Sequence, residues 1–183
     1  MKRSESEKLI LVKREPNGIA YVTINRPKSL NSLTKSMMTD MAQAFKSLDR
    51  DDSVRVIILS GSGRAFCSGV DLTSAEDVFK GDVKDLESDP VAQMERARKP
   101  IIGAIGGFAV TAGFEIALAC DIVVAAKGTK FIDTHARLVL SAQPQLFLPF
   151  FFFFFLKIWD SNSYMFRGRL VGCDITLRLV ILH

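Results

Sequence analysis

The chain has 183 residues, of which 48% are hydrophobic and 24% are charged, as expected for one globular domain with a substantial core. Its net charge of +4 is spread along the chain, without the dense Lys/Arg block that marks a nucleic-acid-binding arm. The three cysteines are widely spaced and form no CxxC pair or Cys/His cluster, which argues against a disulfide framework and a zinc site.

Two apolar, β-branched runs near the start of the chain predict a β-hairpin. Leu9 to Val12 and Ile19 to Ile24 have the composition of strands, and the Asn17-Gly18 pair between them is a strong turn signal. Asn25-Arg26-Pro27 then ends the second strand.

The next segment predicts an amphipathic helix that ends near Arg50. Thr34 is suited to cap its N-terminus. Apolar residues then recur at helical spacing, which places them on one face of the helix: Met38, Met41, Phe45 and Leu48.

Strand and helix signals alternate through the following residues, to about residue 133. Val54 to Leu59, Ile101 to Ile105 and Ile122 to Ala126 predict strands. Residues 74–99 are polar and roughly helical, with a break near Asp89-Pro90, and Ala112 to Cys120 predicts a largely buried helix. The alternation favours an α/β architecture with right-handed crossovers.

A loop rich in small residues follows the Val54 to Leu59 strand and extends from Gly61 to Asp71. Such a loop lets a ligand approach the backbone closely and can present unpaired N–H groups. An ordinary strand-to-helix connection has the same composition, so the loop alone does not identify a site.

A second stretch of small residues, Ile105 to Asp121, follows a strand and opens a helix. Backbone N–H groups at a helix start can bind a negative oxygen. Glu115 stands among apolar residues in this helix, which requires its carboxylate to be paired, protonated or placed at a cavity. The alternative is a first-turn glutamate that stabilises the helix through its dipole. The segment alone leaves both interpretations open.

Three motifs resemble signature stretches of the crotonase superfamily. The loop Arg64-Ala65-Phe66-Cys67-Ser68-Gly69-Val70-Asp71-Leu72 matches the pattern K/R-A-F-S/C-A/S-G-x-D-L. Ala104 to Asp121 resembles A-x-x-G-x-A-x-G-G-G-x-E-L-A-x-x-C-D, and Asn25 to Leu33 resembles N-R-P-x-x-x-N-A-L. The resemblance covers about residues 9–137. It implies an α/β fold of the ClpP/crotonase type, a spiral of repeated ββα units, incomplete at the C-terminus.

The resemblance implies a site that binds an acyl-CoA thioester and stabilises an enolate. By position, the two N–H donors to the thioester oxygen would be the backbone amides of Cys67 and Ala112, so that Cys67 would act through its amide and not its thiol. The residues that would line the substrate are Cys67, Ser68, Gly69, Val70, Asp71 and Gly113.

Glu115 falls on the first of the two catalytic carboxylates of hydratase members. The second would fall at His135, with Asp133 as a less well placed neighbour. Histidine exchanges a proton near neutral pH, but a Glu–His pair is not the standard hydratase set, which weakens hydration relative to isomerisation. A structural histidine on the surface or in a hydrogen bond is the alternative for His135.

The function implied by the resemblance is that of an enoyl-CoA hydratase, which adds water to 2-trans-enoyl-CoA in fatty-acid β-oxidation. The alternatives are an enoyl-CoA isomerase, another crotonase-family reaction, or an inactive CoA-binding fragment. We expect no metal or redox cofactor, because coenzyme A belongs to the substrate and the thioester is the electron sink. The expected partner is an acyl-CoA thioester, without nucleic acid or a membrane span. The family assembles as homotrimers or hexamers.

The resemblance stops after Arg137, which divides the chain into a crotonase core, residues 1–137, and a divergent tail, residues 138–183. The tail contains six consecutive phenylalanines, Phe150 to Phe155. Its apolar run is too short for a bilayer span of roughly 20 residues. We hypothesise that the tail is translated non-coding sequence, such as a retained intron, and is poorly ordered. The expected location is intracellular, in peroxisome, mitochondrion or cytosol, with no targeting signal visible in the sequence.

Overall fold

The computed structural model describes residues 8–74 and 86–132, and the backbone of strands at 157–160, 163–170 and 173–182. The strands are β1 Ile10–Arg14, β2 Ile19–Ile24, β3 Val56–Gly61, β4 Ile101–Ile105, β5 Phe108–Val110, β6 Ile122–Ala126, β7 Lys130–Ile132, β8 Lys157–Asp160, β9 Ser163–Leu170 and β10 Cys173–Leu182. The helices are α1 Lys35–Arg50, α2 Pro90–Glu95 and α3 Ala112–Leu118, with short 3₁₀ turns at Pro27–Ser29 and Leu72–Ser74.

Eight of the strands form one mixed sheet in the order β1-β2-β3-β4-β6-β10-β9-β8. The centre, from β2 to β10, is parallel, and both ends are antiparallel. Strands β5 and β7 pair in parallel as a separate two-stranded sheet. Parallel neighbours require crossover connections, so the chain leaves and re-enters the sheet between its central strands. The predicted α/β architecture is therefore confirmed.

The predicted N-terminal hairpin is present as the antiparallel pair β1 and β2, with Ile10 opposite Ile24. Gly18 has a φ of +84°, which an L side chain adopts only under strain. The Asn17 side-chain oxygen accepts a hydrogen bond from the Ile19 amide at 3.2 Å and closes the turn locally.

Helix α1 begins where the sequence predicts, because the Thr34 hydroxyl accepts from the Met37 amide at 3.4 Å. Its apolar face packs against β1, β2 and α2. One residue of the expected face differs: Met37 is fully buried and Met38 only partly so. The buried residues of the helix are Met37, Met41, Ala42, Phe45 and Leu48.

The strands β5 and β7 were missed because three-residue strands carry no readable alternation. They place the start of α3 beside the chain that follows β6. The rings of Phe114 on α3 and Phe131 on β7 lie with centroids 5.5 Å apart at a tilted angle of 46°. None of the helices within the described segments is long and apolar enough to cross a membrane.

Candidate active site

Close backbone contacts fold the loop after β3 back onto neighbouring chain. A Cβ added at Gly61 would lie 2.3 Å from the Phe66 carbonyl oxygen, and one added at Gly107 would lie 1.9 Å from the Arg64 carbonyl oxygen. Real side chains do not tolerate such distances, so only glycine fits at these two positions. The loop from Gly61 to Asp71 therefore packs directly against the turn between β4 and β5.

The two stretches of small residues that the sequence analysis singled out lie side by side. Cys67 forms an isolated parallel bridge with Ala109, and the Val110 amide donates to the Cys67 carbonyl at 3.0 Å. A Cβ added at Gly113 would lie 2.6 Å from that same carbonyl oxygen. The start of α3 thus rests on the loop that contains Cys67, as the expected site requires.

The backbone amides of residues 67–71 differ in whether they donate a hydrogen bond within the protein. The Cys67 amide donates to the Phe108 carbonyl at 3.2 Å, and the Ser68 amide donates to Leu30 at 3.1 Å. The Gly69 amide contacts the Cys67 sulfur at 3.4 Å, and the Asp71 amide donates to Leu33 at 2.8 Å. Within residues 8–74 and 86–132, the Val70 amide has no protein acceptor.

The orientation of the Val70 amide follows from its pairing with Leu33. Leu33 donates to the Gly69 carbonyl at 2.8 Å and accepts from the Asp71 amide, so the two residues that flank Val70 hold this parallel bridge. In a parallel bridge the amide of the central residue points away from its partner. The N–H of the half-buried residue Val70 therefore faces the side of the loop opposite Leu33.

Cys67 departs from the expectation that its amide serves the thioester oxygen. The hydrogen bond to Phe108 argues against that role, because a donor held by the scaffold is not directed at a ligand. The side chain is fully buried. Burial raises the pKa of the Cys67 thiol to about 11, so the sulfur is protonated near neutral pH and is not a nucleophile.

Ala112 is the first residue of α3, and its N–H has no intrahelical acceptor for that reason. The preceding Thr111 has a φ of 48°, an uncommon value for a β-branched residue, and its amide donates to the Ile132 carbonyl at 2.9 Å. This backbone turn sets the direction in which the half-buried Ala112 amide points. The Ala112 donor stays a prediction with suitable geometry.

Glu115 lies in the first turn of α3, three residues after Ala112 and therefore on the same side of the helix. The side chain is exposed, whereas Ile116 and Ala117 behind it are buried. This exposure argues against a desolvated carboxylate and is compatible both with a first-turn glutamate and with a carboxylate placed at a cavity, so the role of Glu115 stays a prediction.

Two polar residues of the signature motifs support the loop, a role that the motif pattern does not predict. Asn31 is fully buried, and its side-chain amide donates to the carbonyls of Ser62 and Ala65, both at 2.8 Å. Its oxygen accepts from the Arg26 amide at 2.8 Å. The Asp71 carboxylate pairs with the Arg26 guanidinium. The charge of Asp71, a predicted substrate-lining residue, is therefore paired with Arg26 inside the protein.

His135 and its neighbour Asp133 lie outside the described residues. No group of three or more His, Cys, Asp or Glu side chains in the described part of the chain is placed to hold a metal ion. The residues brought together at one place are accordingly the loop from Cys67 to Asp71, the helix start at Ala112 and Gly113, and Glu115.

The sequence matches a family model described as enoyl-CoA hydratase/isomerase over residues 14–145. The chain belongs to the enoyl-CoA hydratase/isomerase family. This member is 72% identical over 137 residues to a probable peroxisomal enoyl-CoA hydratase 1 of Arabidopsis thaliana, a match that covers 75% of this chain and 52% of the relative. It is 36% identical over 130 residues to the 1,2-epoxyphenylacetyl-CoA isomerase of Escherichia coli, across 67% of this chain and 50% of that protein.

The crystal structure of an enoyl-CoA hydratase from Mycobacterium avium superposes with a TM-score of 0.60 at 32% identity, over 67% of this chain and 49% of that one. The expected crotonase-type α/β fold is thus confirmed. This family member spans about half the length of the curated relatives that it matches. The boundary predicted at residue 137 stays a prediction.

Proposed function

We propose that this family member binds an acyl-CoA thioester and stabilises its enolate, and that the reaction is the hydration of a 2-trans-enoyl-CoA. The observation that carries the proposal is the contact between the loop from Cys67 to Asp71 and the start of α3, with Glu115 beside it. The high identity to a relative named as an enoyl-CoA hydratase supports the choice of reaction.

The donors in this proposal are the amides of Val70 and Ala112. The Val70 amide replaces that of Cys67, which is engaged by Phe108. The thioester carbonyl oxygen, which gains negative charge as the enolate forms, would accept hydrogen bonds from both donors. Removing one such donor typically costs an enzyme about 3 kcal/mol of transition-state stabilisation. Gly113 and Gly69 let the two segments approach each other closely, which brings the two proposed donors onto neighbouring stretches of backbone.

Glu115 is the acid/base in this proposal. Its position three residues after Ala112 places a carboxylate near the carbon atoms next to a thioester carbonyl bound at the helix start. The carboxylate would orient water for addition to the β-carbon or deliver a proton to the α-carbon. No cofactor is required, because the thioester itself accepts the electron pair. His135 remains the proposed partner of Glu115.

Isomerisation of a 3-enoyl-CoA is the second candidate. It needs one base that removes a proton and returns it at another carbon, and Glu115 could do this alone. The relative named as an isomerase favours it. Hydration and isomerisation share the enolate, so the same donors serve both reactions.

Parallel assays of crotonyl-CoA hydration and 3-enoyl-CoA isomerisation test the proposal on the purified chain. Glu115→Gln should lower kcat by about 100-fold or more, because a positioned acid/base typically contributes that factor. Glu95→Gln is the matched control, since Glu95 is also an exposed helical glutamate and lies at the end of α2. Equal turnover by wild type and Glu115→Gln would contradict the assigned role.

The compartment and assembly belong to the same proposal. The name of the Arabidopsis relative supports a peroxisomal location, which imaging of a fluorescent fusion with a peroxisomal marker would test. Homotrimer formation is the family expectation, and sedimentation of the purified chain would measure it.

A further inference from the structure

An ion pair links the motif from Asn25 to Leu33 to the loop that carries Val70. Arg26 Nη1 donates to the carbonyl of Ser32 at 3.2 Å and to its hydroxyl at 2.8 Å, and it also pairs with Asp71 Oδ2. The two charged side chains are only 27% and 11% exposed. The pair is therefore held on several sides and largely shielded from water, unlike an ordinary surface ion pair.

The second oxygen of the carboxylate is also engaged. Asp71 Oδ1 accepts from the Thr73 amide at 3.0 Å and from the Thr73 hydroxyl at 2.7 Å. Hydrogen bonds from Thr73 and Arg26 lower the pKa of Asp71 to about 2, so the carboxylate is ionised at any ordinary pH. Both oxygens of Asp71 thus have fixed partners, and the residue has no spare charge for a substrate.

The main chain of Asp71 is held as firmly as its side chain. Its amide donates to the Leu33 carbonyl, while Leu33 donates to Gly69, and Val70 lies between these two hydrogen bonds. Any rotation of the Val70 peptide has to break one of these hydrogen bonds or displace the Asp71 carboxylate from Arg26.

We infer that Arg26 and Asp71 are positioning residues, which act on the reaction by fixing the direction of the Val70 amide. The inference rests on the proposed function, in which that amide donates to the thioester oxygen. Stabilisation by a backbone donor depends on its being aimed before the charge develops, so a small rotation weakens the transition state more than the bound ground state.

Amide hydrogen exchange tests the positioning claim without any ligand. In the Asp71→Asn variant of the full chain, the amides of Leu33 and residue 71 should exchange at least about tenfold faster, whereas those of Ile57 and Leu59 in β3 should be unchanged. Asp49→Asn is the matched control, because it removes the same charge from the Arg98–Asp49 pair away from the site. Thr73→Ala, at an exposed position, is a milder second variant that should show a smaller increase in the same amides.

A bound enoyl-CoA with a ¹³C-labelled thioester carbonyl adds the functional readout. In wild type the infrared carbonyl stretch should lie below its value in water, and Asp71→Asn should reverse much of that shift. With kcat expressed per folded enzyme, and the folded fraction measured by circular dichroism, the same variant should lower kcat at least about tenfold while KM changes less than about twofold.

The outcomes separate this inference from the proposed function. Unchanged loop exchange in both Asp71→Asn and Thr73→Ala would overturn the positioning role, whatever the ligand does. A carbonyl stretch equal to that in water for the wild-type complex, or no binding of the labelled enoyl-CoA, would overturn the proposed function. The exchange result would still decide whether Arg26 and Asp71 fix the loop.

Discussion

The two segments that carry the proposed donors are held by different means. The loop around Val70 is held by side chains, through the buried amide of Asn31 and the pair of Arg26 with Asp71, in addition to its close backbone contact with the turn at Gly107. The start of α3 is fixed by the backbone, through the positive φ of Thr111 and through glycines that lie against carbonyl oxygens.

The two segments should therefore respond to different kinds of change. A segment held by hydrogen bonds and charge responds to pH and to removal of a polar group. A segment held by close backbone approach responds to added volume and to a change in backbone preference.

The largest expected loss of stability comes from disturbing the close backbone contact at Gly107. Gly107→Ala should lower the free energy of unfolding by about 4 kcal/mol, because overpacking and a strained positive φ add together. The new Cβ would lie 1.9 Å from the Arg64 carbonyl oxygen, and the φ of Gly107 is +73°. Urea unfolding measures the loss.

Gly106→Ala is the matched control for that substitution, one residue earlier in the same turn. A Cβ at Gly106 meets nothing within 4 Å. Its unfolding midpoint should match that of wild type. If the two alanine variants were equally stable, close backbone approach would not hold this turn.

The next largest expected loss of stability concerns the loop around Val70, which the Asn31 side chain supports. Asn31→Ala should cost about 3 kcal/mol of unfolding free energy, because it leaves the buried carbonyl of Ala65 and the partly buried carbonyl of Ser62 without donors. Since Asn31 has a φ of 58°, backbone strain in alanine adds to the loss. Asn31→Gly removes the same hydrogen bonds without that strain, so its smaller loss in thermal unfolding isolates the polar contribution. A loss below that of an ordinary surface substitution would contradict the role of the buried amide.

A smaller effect depends on pH. The folded pKa of Asp71, about 2, lies below the value of about 3.9 for an unfolded aspartate. The stabilisation by Asp71 is therefore complete above about pH 4 and is lost as pH falls toward 2. Unfolding measured across this window should show a shallower loss of stability in Asp71→Asn than in wild type. Parallel curves for the two proteins would show that Arg26 and Thr73 do not stabilise the ionised carboxylate.

The smallest effect is a gain. Thr111→Gly should raise the free energy of unfolding by about 1 kcal/mol or less, because relief of a positive φ exceeds the added entropy of glycine in the unfolded chain. Differential scanning calorimetry would detect the rise in Tm. A lower Tm would mean that contacts of the Thr111 side chain outweigh the backbone strain.

Much of the fold could be predicted from the sequence because its signals are local. The Asn17-Gly18 turn and the Thr34 cap each act within a few residues, and both structures form where expected. The direction in which a backbone amide points depends instead on contacts with residues that are distant in sequence. The sequence motif does not distinguish Cys67 from Val70 as the proposed donor, because the two amides differ only through contacts with Phe108 and Leu33 that are distant in sequence.

The same limit applies to the polar residues of the motifs. Asp71 was expected at the substrate because it lies in a signature loop, yet its partner Arg26 is 45 positions earlier in the chain. The spacing of residues within a motif does not predict a pair between residues so far apart in sequence. Glu115 was identified by type and position, whereas its exposure depends on what packs around α3.

The contacts of Asn31 have a consequence for how the chain is made. Asn31 and the carbonyls that it binds at Ser62 and Ala65, together with Arg26, Asp71 and Thr73, all precede β4 in sequence. These hydrogen-bond partners are therefore synthesised before any residue of the second signature stretch. The earlier half of the site is available as a template on which the later half docks, and vectorial synthesis favours that order of assembly.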